Sequence, residues 1–225
     1  MKIKNLISYT VSLEHIPYLW EQNDILIFII DLNDYDTLNA DDLDKIEKEH
    51  LERLQTGYFK KRFVVSRTVL KHILCCLLNE GSLSDVSLYK DKYGRIHVHG
   101  HDELNICVSY TEDVVFLAIS KIETGIDVEV RRYLSLKNVS KYLQTETSSD
   151  GRCATNLKFL EAWTLKEAYC KFSNKSILSY LNKVLDTNDI HKSSYLINNK
   201  YILAVVTVSD HYAINISCFE KIFYD

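Results

Sequence analysis

Two short stretches carry the residue types that do chemistry. Gly125-Ile-Asp-Val-Glu129 follows a turn and reads as a strand. Alternate strand residues share a face, so Asp127 and Glu129 point the same way, about 7 Å apart. That spacing lets two carboxylates share one hard cation, while Ile126, Val128 and Val130 take the opposite face and can be buried. Trp163-Thr-Leu-Lys-Glu-Ala-Tyr-Cys-Lys171 reads as a helix whose Trp163, Glu167 and Lys171 stack at spacings of four. Lys166 lies about 100° round from that stripe. A carboxylate between an aromatic and a base, able to face a carboxylate pair, fits a magnesium–phosphate site. Taken singly, each motif has a plainer reading: the strand as a solvated acidic face, the helix as surface decorated with Lys-Glu pairs.

Periodicity defines the elements that must hold these stretches. Residues 24–31 form a continuous apolar run, expected as a buried strand. Residues 41–54 read as an amphipathic helix whose leading Asp residues suit the positive end of its dipole. Residues 58–78 are the longest helix candidate, with Phe59, Phe63, Ser66, Leu70, Ile73 and Leu77 on a core face. Lys60, Arg67 and Lys71 fall on another face, which in isolation reads as a solvated basic stripe. A turn at Tyr93-Gly94 and strands at 105–109 and 114–119 follow, and Thr124-Gly125 is expected to close a hairpin into the acidic strand. A helix is expected over 130–143, a polar loop over 145–155 and the Lys-Glu helix over 156–172. Segments 195–197, 201–208 and 212–219 read as a C-terminal antiparallel sheet. The order strand, helix, strands occurs twice, so the fold class is α+β in two halves of similar size, 1–113 and 114–225, the second carrying the acidic strand. A cleft between two halves is a common place for a ligand.

With 225 residues, 46% of them hydrophobic, the chain can bury a substantial core. A net charge of -4 argues against general nucleic-acid binding, which needs a basic surface. No apolar run reaches the length of a membrane helix and the N-terminus lacks a signal-peptide pattern, so no membrane partner and a cytoplasmic location are expected. Six cysteines, at 75, 76, 107, 153, 170 and 218, form neither a Cys-x-x-Cys pair nor a zinc pattern. Cys107 and Cys218 read as buried reduced thiols, and Cys170 as a helix-packing residue.

Together the two motifs resemble the 4′-phosphopantetheinyl transferases of the surfactin-synthetase-activating type. That family pairs a Gly-Ile/Val-Asp-x-Glu strand with a Trp-Ser/Thr-x-Lys-Glu-Ala/Ser-x-x-Lys helix. Both patterns are complete here, with Asp127 and Glu167 forty residues apart. Weaker likenesses run in the same order: Ser66-Arg67 and Lys71 to an Arg-containing helix, Lys92-Tyr93-Gly94-Arg95 to a Tyr-Gly-Lys-Pro turn, residues 105–109 to the strand before a Ser-His-Ser motif, and Tyr142 to Glu146 to a Phe-x-x-x-Glu segment. The chain departs from the pattern where Ser109-Tyr110-Thr111 stands for Ser-His-Ser, and where Ser173-Asn174-Lys175-Ser176 replaces glycines.

The resemblance implies two pseudo-twofold, α/β-sandwich-like halves with the active site in the cleft between them. It implies a magnesium-dependent transfer of the 4′-phosphopantetheine arm of coenzyme A to a serine of an acyl or peptidyl carrier protein, as in polyketide or nonribosomal peptide biosynthesis. The implied ligands of the metal are Asp127, Glu129 and Glu167, with Glu167 doubling as the base. Lys171, and with it Lys166, would hold the pyrophosphate. Arg67, Lys71, Arg95, Ser109 and Tyr110 would bind coenzyme A, more weakly for lack of the histidine charge that Tyr110 replaces. The implied molecule is a monomer. The competing expectation is a relative that binds coenzyme A or a carrier without turnover.

Overall fold

The apolar run at 24–31 is strand β3 (Ile25–Asp31), with Ile25 through Ile30 all buried. In the computed structural model, which describes residues 3–35, 40–132, 156–180 and 189–222, β3 is the centre of a five-stranded sheet. Its order is β2 (Thr10–Val11), β11 (Ile214–Phe219), β3, β7 (Val114–Ser120), β6 (Asn105–Thr111). A four-stranded sheet runs β1 (Lys4–Leu6), β9 (His191–Ile197), β10 (Tyr201–Thr207), β8 (Thr124–Val130). A small hairpin joins β4 (Leu88–Lys90) to β5 (Ile96–Val98). The helices are α1 (Ile16–Gln22), α2 (Lys45–Arg53), α3 (Gly57–Leu78) and α4 (Asn156–Phe172). Among the described residues, no helix is long and apolar enough to cross a membrane.

Alternation along the strands sets the layers. Ile25, Ile27 and Ile29 of β3 meet Ile126, Val128 and Val130 of β8 and Leu203 and Val205 of β10 in one core between the sheets. Leu26, Phe28 and Ile30 face the other way, into a core shared with Val65, Val69 and Ile73 of α3. On the far side, Ala204 and Val206 of β10 pack against Ala168 and Phe172 of α4, and Ile202 packs against Leu160. Both faces of the sheets are therefore covered, which is why β3, β7 and β10 read as unbroken apolar runs. The mixed α+β class is as expected.

Two sequence expectations are corrected. Thr124 and Gly125 do not close a hairpin; they lie inside β8, which pairs antiparallel with β10 rather than with β7. The chain thus changes sheet across 121–123, and a division at 113/114 would cut the β6–β7 hairpin. The C-terminal segments do not form one antiparallel sheet. β9 and β10 are antiparallel partners, but β11 crosses to run parallel to β3, where Phe219 meets Phe28 edge-to-face at 5.8 Å. The segment Tyr142 to Glu146 and, from residue 133 on, the helix expected over 130–143 lie outside the described residues, and Val130 ends β8.

Candidate active site

The site begins with a glycine that lets a helix touch a strand. A β-carbon on Gly125 would sit 2.2 Å from the Ala168 carbonyl oxygen and 2.4 Å from the Phe172 nitrogen. Only a residue without a side chain allows α4 to rest there. Four residues along a helix advance about 6 Å and two residues along a strand about 6.8 Å, so stripes with these spacings stay nearly in step. Trp163 accordingly meets Glu129, Glu167 meets Asp127, and Lys171 reaches Asp127 from the last turn.

Asp127 is 3% exposed and sits where the edges of the two sheets meet. Here β6 approaches β8 through side chains. Cys107 Sγ accepts from Ile126 N at 3.3 Å, and Ser109 Oγ accepts from Val128 N at 3.2 Å while donating to Asp127 Oδ1 at 2.7 Å. Lys171 Nζ donates to the same Oδ1 at 2.7 Å and to the Val108 carbonyl at 3.3 Å. Asp127 Oδ2 is buried with no amide, hydroxyl or ammonium donor, and the neighbouring Glu167 carboxyl shares a proton with Asp127 when it is protonated. A buried carboxylate oxygen without a donor is costly unless something else occupies it.

Electrostatics around Asp127 are unbalanced. Burial, then the charge and carboxyl of neighbouring Asp127, push Glu167 up to about 8, with Glu129 adding to the effect. Burial and Asp127 also raise Glu129, against Arg132, whose Nη2 lies 3.3 Å from Glu129 Oε2, and against the Trp163 hydrogen bond. Burial works against the Lys171 charge, but Asp127 overrides it and holds the ammonium above its ordinary pKa. Three carboxylates thus crowd a place where one lysine reaches the innermost.

The donors present fit a hard cation. All are carboxylate oxygens, one of them buried and unpaired, and added positive charge would relieve the mutual repulsion. Among the described residues, no group of three or more acidic, histidine or cysteine side chains is placed to hold a metal ion as it stands. Magnesium does not require one, since it takes one or two carboxylates with water and substrate oxygens completing its octahedron.

The remaining expected residues are dispersed. Arg67 and Lys71 do not form a solvated stripe; they are 6% and 1% exposed and both face Glu47 of α2, at 3.7 and 2.9 Å. Lys71 also donates to the Asp42 carbonyl at 3.0 Å. Glu47 stands at the third helical position behind Asp44, closing a capping box, and its burial answers the two cations on α3. Arg95 Nη2 donates to the Lys171 and Phe172 carbonyls, both at 2.6 Å. Lys166 is 3% exposed, lies beside Cys170 and has its pKa lowered by burial. Tyr110 shares a hydrogen bond with Ser66 Oγ at 3.1 Å, and its ring lies 4.2 Å under the Arg62 guanidinium. Phe59, expected in the core, is 43% exposed. Cys107 and Cys170 are buried free thiols as expected, and Cys218 is half-buried.

Sequence reasoning did not find Glu47, Arg62, Arg132 or the partner of Trp163. The capping box at Asp44-Glu47 was a legible signal for Glu47; the others are tertiary contacts. Compared with known proteins, the chain matches no protein-family model and no curated protein.

Proposed function

We propose that the chain transfers the 4′-phosphopantetheine arm of coenzyme A to a serine of an apo carrier protein. The observation that carries this reading is the α4 stripe laid on β8, which brings Glu167 and Lys171 to Asp127 and leaves Asp127 Oδ2 buried with no amide, hydroxyl or ammonium donor. The serine oxygen attacks the pyrophosphate phosphorus that bears the pantetheine arm. The bond from that phosphorus to the bridging oxygen breaks, and 3′,5′-ADP leaves with the bonding pair. Glu167 takes the serine proton once its own proton has left; burial and Asp127 hold that proton on in the free site, and a cation between the carboxylates would release it. Lys171 offers a fixed positive charge to the leaving phosphate. Asp127, Glu129 and Glu167 would hold magnesium, which when bound neutralises charge on the pyrophosphate.

The two halves of the fold support this reading. β3, α3 and the β6–β7 hairpin pair in the order β3–β7–β6; β8, α4 and the β9–β10 hairpin pair in the order β8–β10–β9. We read these as pseudo-symmetric halves, with the cleft at the β6–β8 seam. Arg62 over Tyr110 supplies a positive charge where Tyr110 brings none.

One observation favours the non-catalytic alternative. Arg67 and Lys71 are paired with Glu47, and Arg95 with α4, so three cations expected on coenzyme A are engaged elsewhere. Intact-protein mass spectrometry of apo acyl and peptidyl carriers, incubated with the chain, coenzyme A and magnesium, separates the two. A phosphopantetheine increment that disappears with Glu167→Ala supports transfer. Coenzyme A binding without any increment supports the binder.

A further inference from the structure

The turn between β4 and β5 has no task in the transfer chemistry, yet its hydrogen bonds converge on the end of α4. Within the turn, Asp91 Oδ1 accepts from Tyr93 N at 2.8 Å and Arg95 N at 3.0 Å, and Gly94, at φ +94°, donates to the Asp91 carbonyl. These bonds fix where Arg95 points. Its Nη2 donates to the carbonyls of Lys171 and Phe172 at 2.6 Å, and its Nη1 lies 3.5 Å from Glu123.

From the other side, α4 ends on Asn174 in the left-handed conformation, φ +50°. Lys175 N donates to the Cys170 carbonyl and Asn174 N to the Lys171 carbonyl, the bond pattern of a Schellman cap with Asn in place of Gly. The Asn174 side chain then donates to Asp91 Oδ2 at 2.7 Å, and His97 Nε2 lies 3.3 Å from the same oxygen. Asn174, His97 and the two turn amides outweigh burial and hold Asp91 well below the usual carboxylate range. The last carbonyls of α4 carry the negative end of its dipole, so a guanidinium there is doubly favourable.

Lys171 belongs to this clamped turn. Its carbonyl is held by Arg95 and its ammonium by Asp127, at opposite ends of one residue. We propose that Arg95, seated by Asp91, is a positioning residue that sets the reach of Lys171 to Asp127. It acts through the helix end rather than by touching phosphate. This rests on the transfer reading for its catalytic consequence, but the positioning itself is measurable without turnover.

The experiment is competitive acetylation of the intact chain, with Lys171 labelling followed by peptide mass spectrometry against Lys175 as internal reference. Arg95→Ala is expected to raise relative Lys171 labelling about fivefold, with Arg95→Lys restoring part of the protection, since a lysine donates without the planar fork. Asn174→Gly keeps the left-handed cap but removes the bond to Asp91, and should shift labelling the same way by a smaller factor; it serves if Arg95→Ala does not fold. In the transfer assay, Arg95→Ala should lower kcat about tenfold with the KM for coenzyme A unchanged. Unchanged Lys171 labelling in the folded variants overturns the proposal, as does a rise in KM for coenzyme A with kcat intact, which would make Arg95 a ligand contact. If no carrier is modified by the parent chain, the labelling result alone decides the positioning, and the transfer reading fails separately.

Discussion

Two buried charge clusters on this chain use the same residue types to opposite ends. At the α2–α3 contact, Glu47 faces Arg67 and Lys71 and accepts the Asp44 amide. At the β6–β8 seam, Asp127 faces one lysine and one serine, with Glu129 and Glu167 beside it and Oδ2 unpaired. The first cluster has its acid outnumbered by cations and ties two helices together. The second accumulates negative charge around a partly open lysine, 33% exposed at its side chain. Each cluster leaves buried polar atoms unpaired, Glu47 Oε1 and Arg67 Nη1 in the first and Asp127 Oδ2 in the second; they differ in sign, the first carrying excess cation and the second excess acid.

Four measurements would break or sharpen that contrast. The largest effect should come from Asp127→Ala, which removes the acceptor shared by Ser109 and Lys171. Transfer to a carrier should fall at least about a hundredfold; full activity would remove Asp127 from the chemistry. Glu47→Gln comes next. It leaves two buried cations without their acid, and urea unfolding should show a loss of about 4 kcal/mol. A change below about 1 kcal/mol would mean that solvent already screens the cluster.

Gly125→Ala should cost about 3 kcal/mol and reduce transfer, because the new methyl meets α4 backbone rather than a side chain that can swing aside. Wild-type stability in urea would show that α4 is free to move off β8. The smallest effect is a slope with pH. Glu167 has a folded pKa raised to about 8, so its contribution is fully present below its unfolded value, near 4.5, and is lost as pH rises through 8. Melting without metal should therefore drift to lower temperature between pH 5 and 9. Glu167→Gln should flatten the drift, and an unaltered profile would place Glu167 in ordinary solvent.

Much of this molecule is determined by local pattern. The apolar run of β3, the helix of α3 and the full span of α4 follow from periodicity, and the parity of Asp127 and Glu129 against Ile126 and Val128 follows from the strand repeat. The match between a stripe of four and a stripe of two is also written in the chain. What periodicity does not encode is partner choice between sheets. Thr124-Gly125 looks like a turn because glycine serves turns, yet here the glycine makes room for a helix. β11 has the alternation of a hairpin strand, yet it pairs with β3, with Ile214 opposite Ile25 from the start of the chain, because Ile216 completes the inter-sheet core and Phe219 fits Phe28.

Tertiary structure also decided which cations face solvent. Arg67, Lys71 and Arg95 have the composition of an anion-binding set, and a lysine or arginine of unknown surroundings carries no mark of its partner. Glu47, buried opposite two of them, and the last carbonyls of α4, opposite the third, gave these cations partners within the fold. The sequence by itself determined the acidic strand, the Lys-Glu helix and the spacing that lets them meet, since these rest on backbone geometry alone. Only the tertiary structure decided that Asp127 keeps one oxygen unpaired and that Arg95 serves the helix end, since each depends on which groups from distant segments exclude water together.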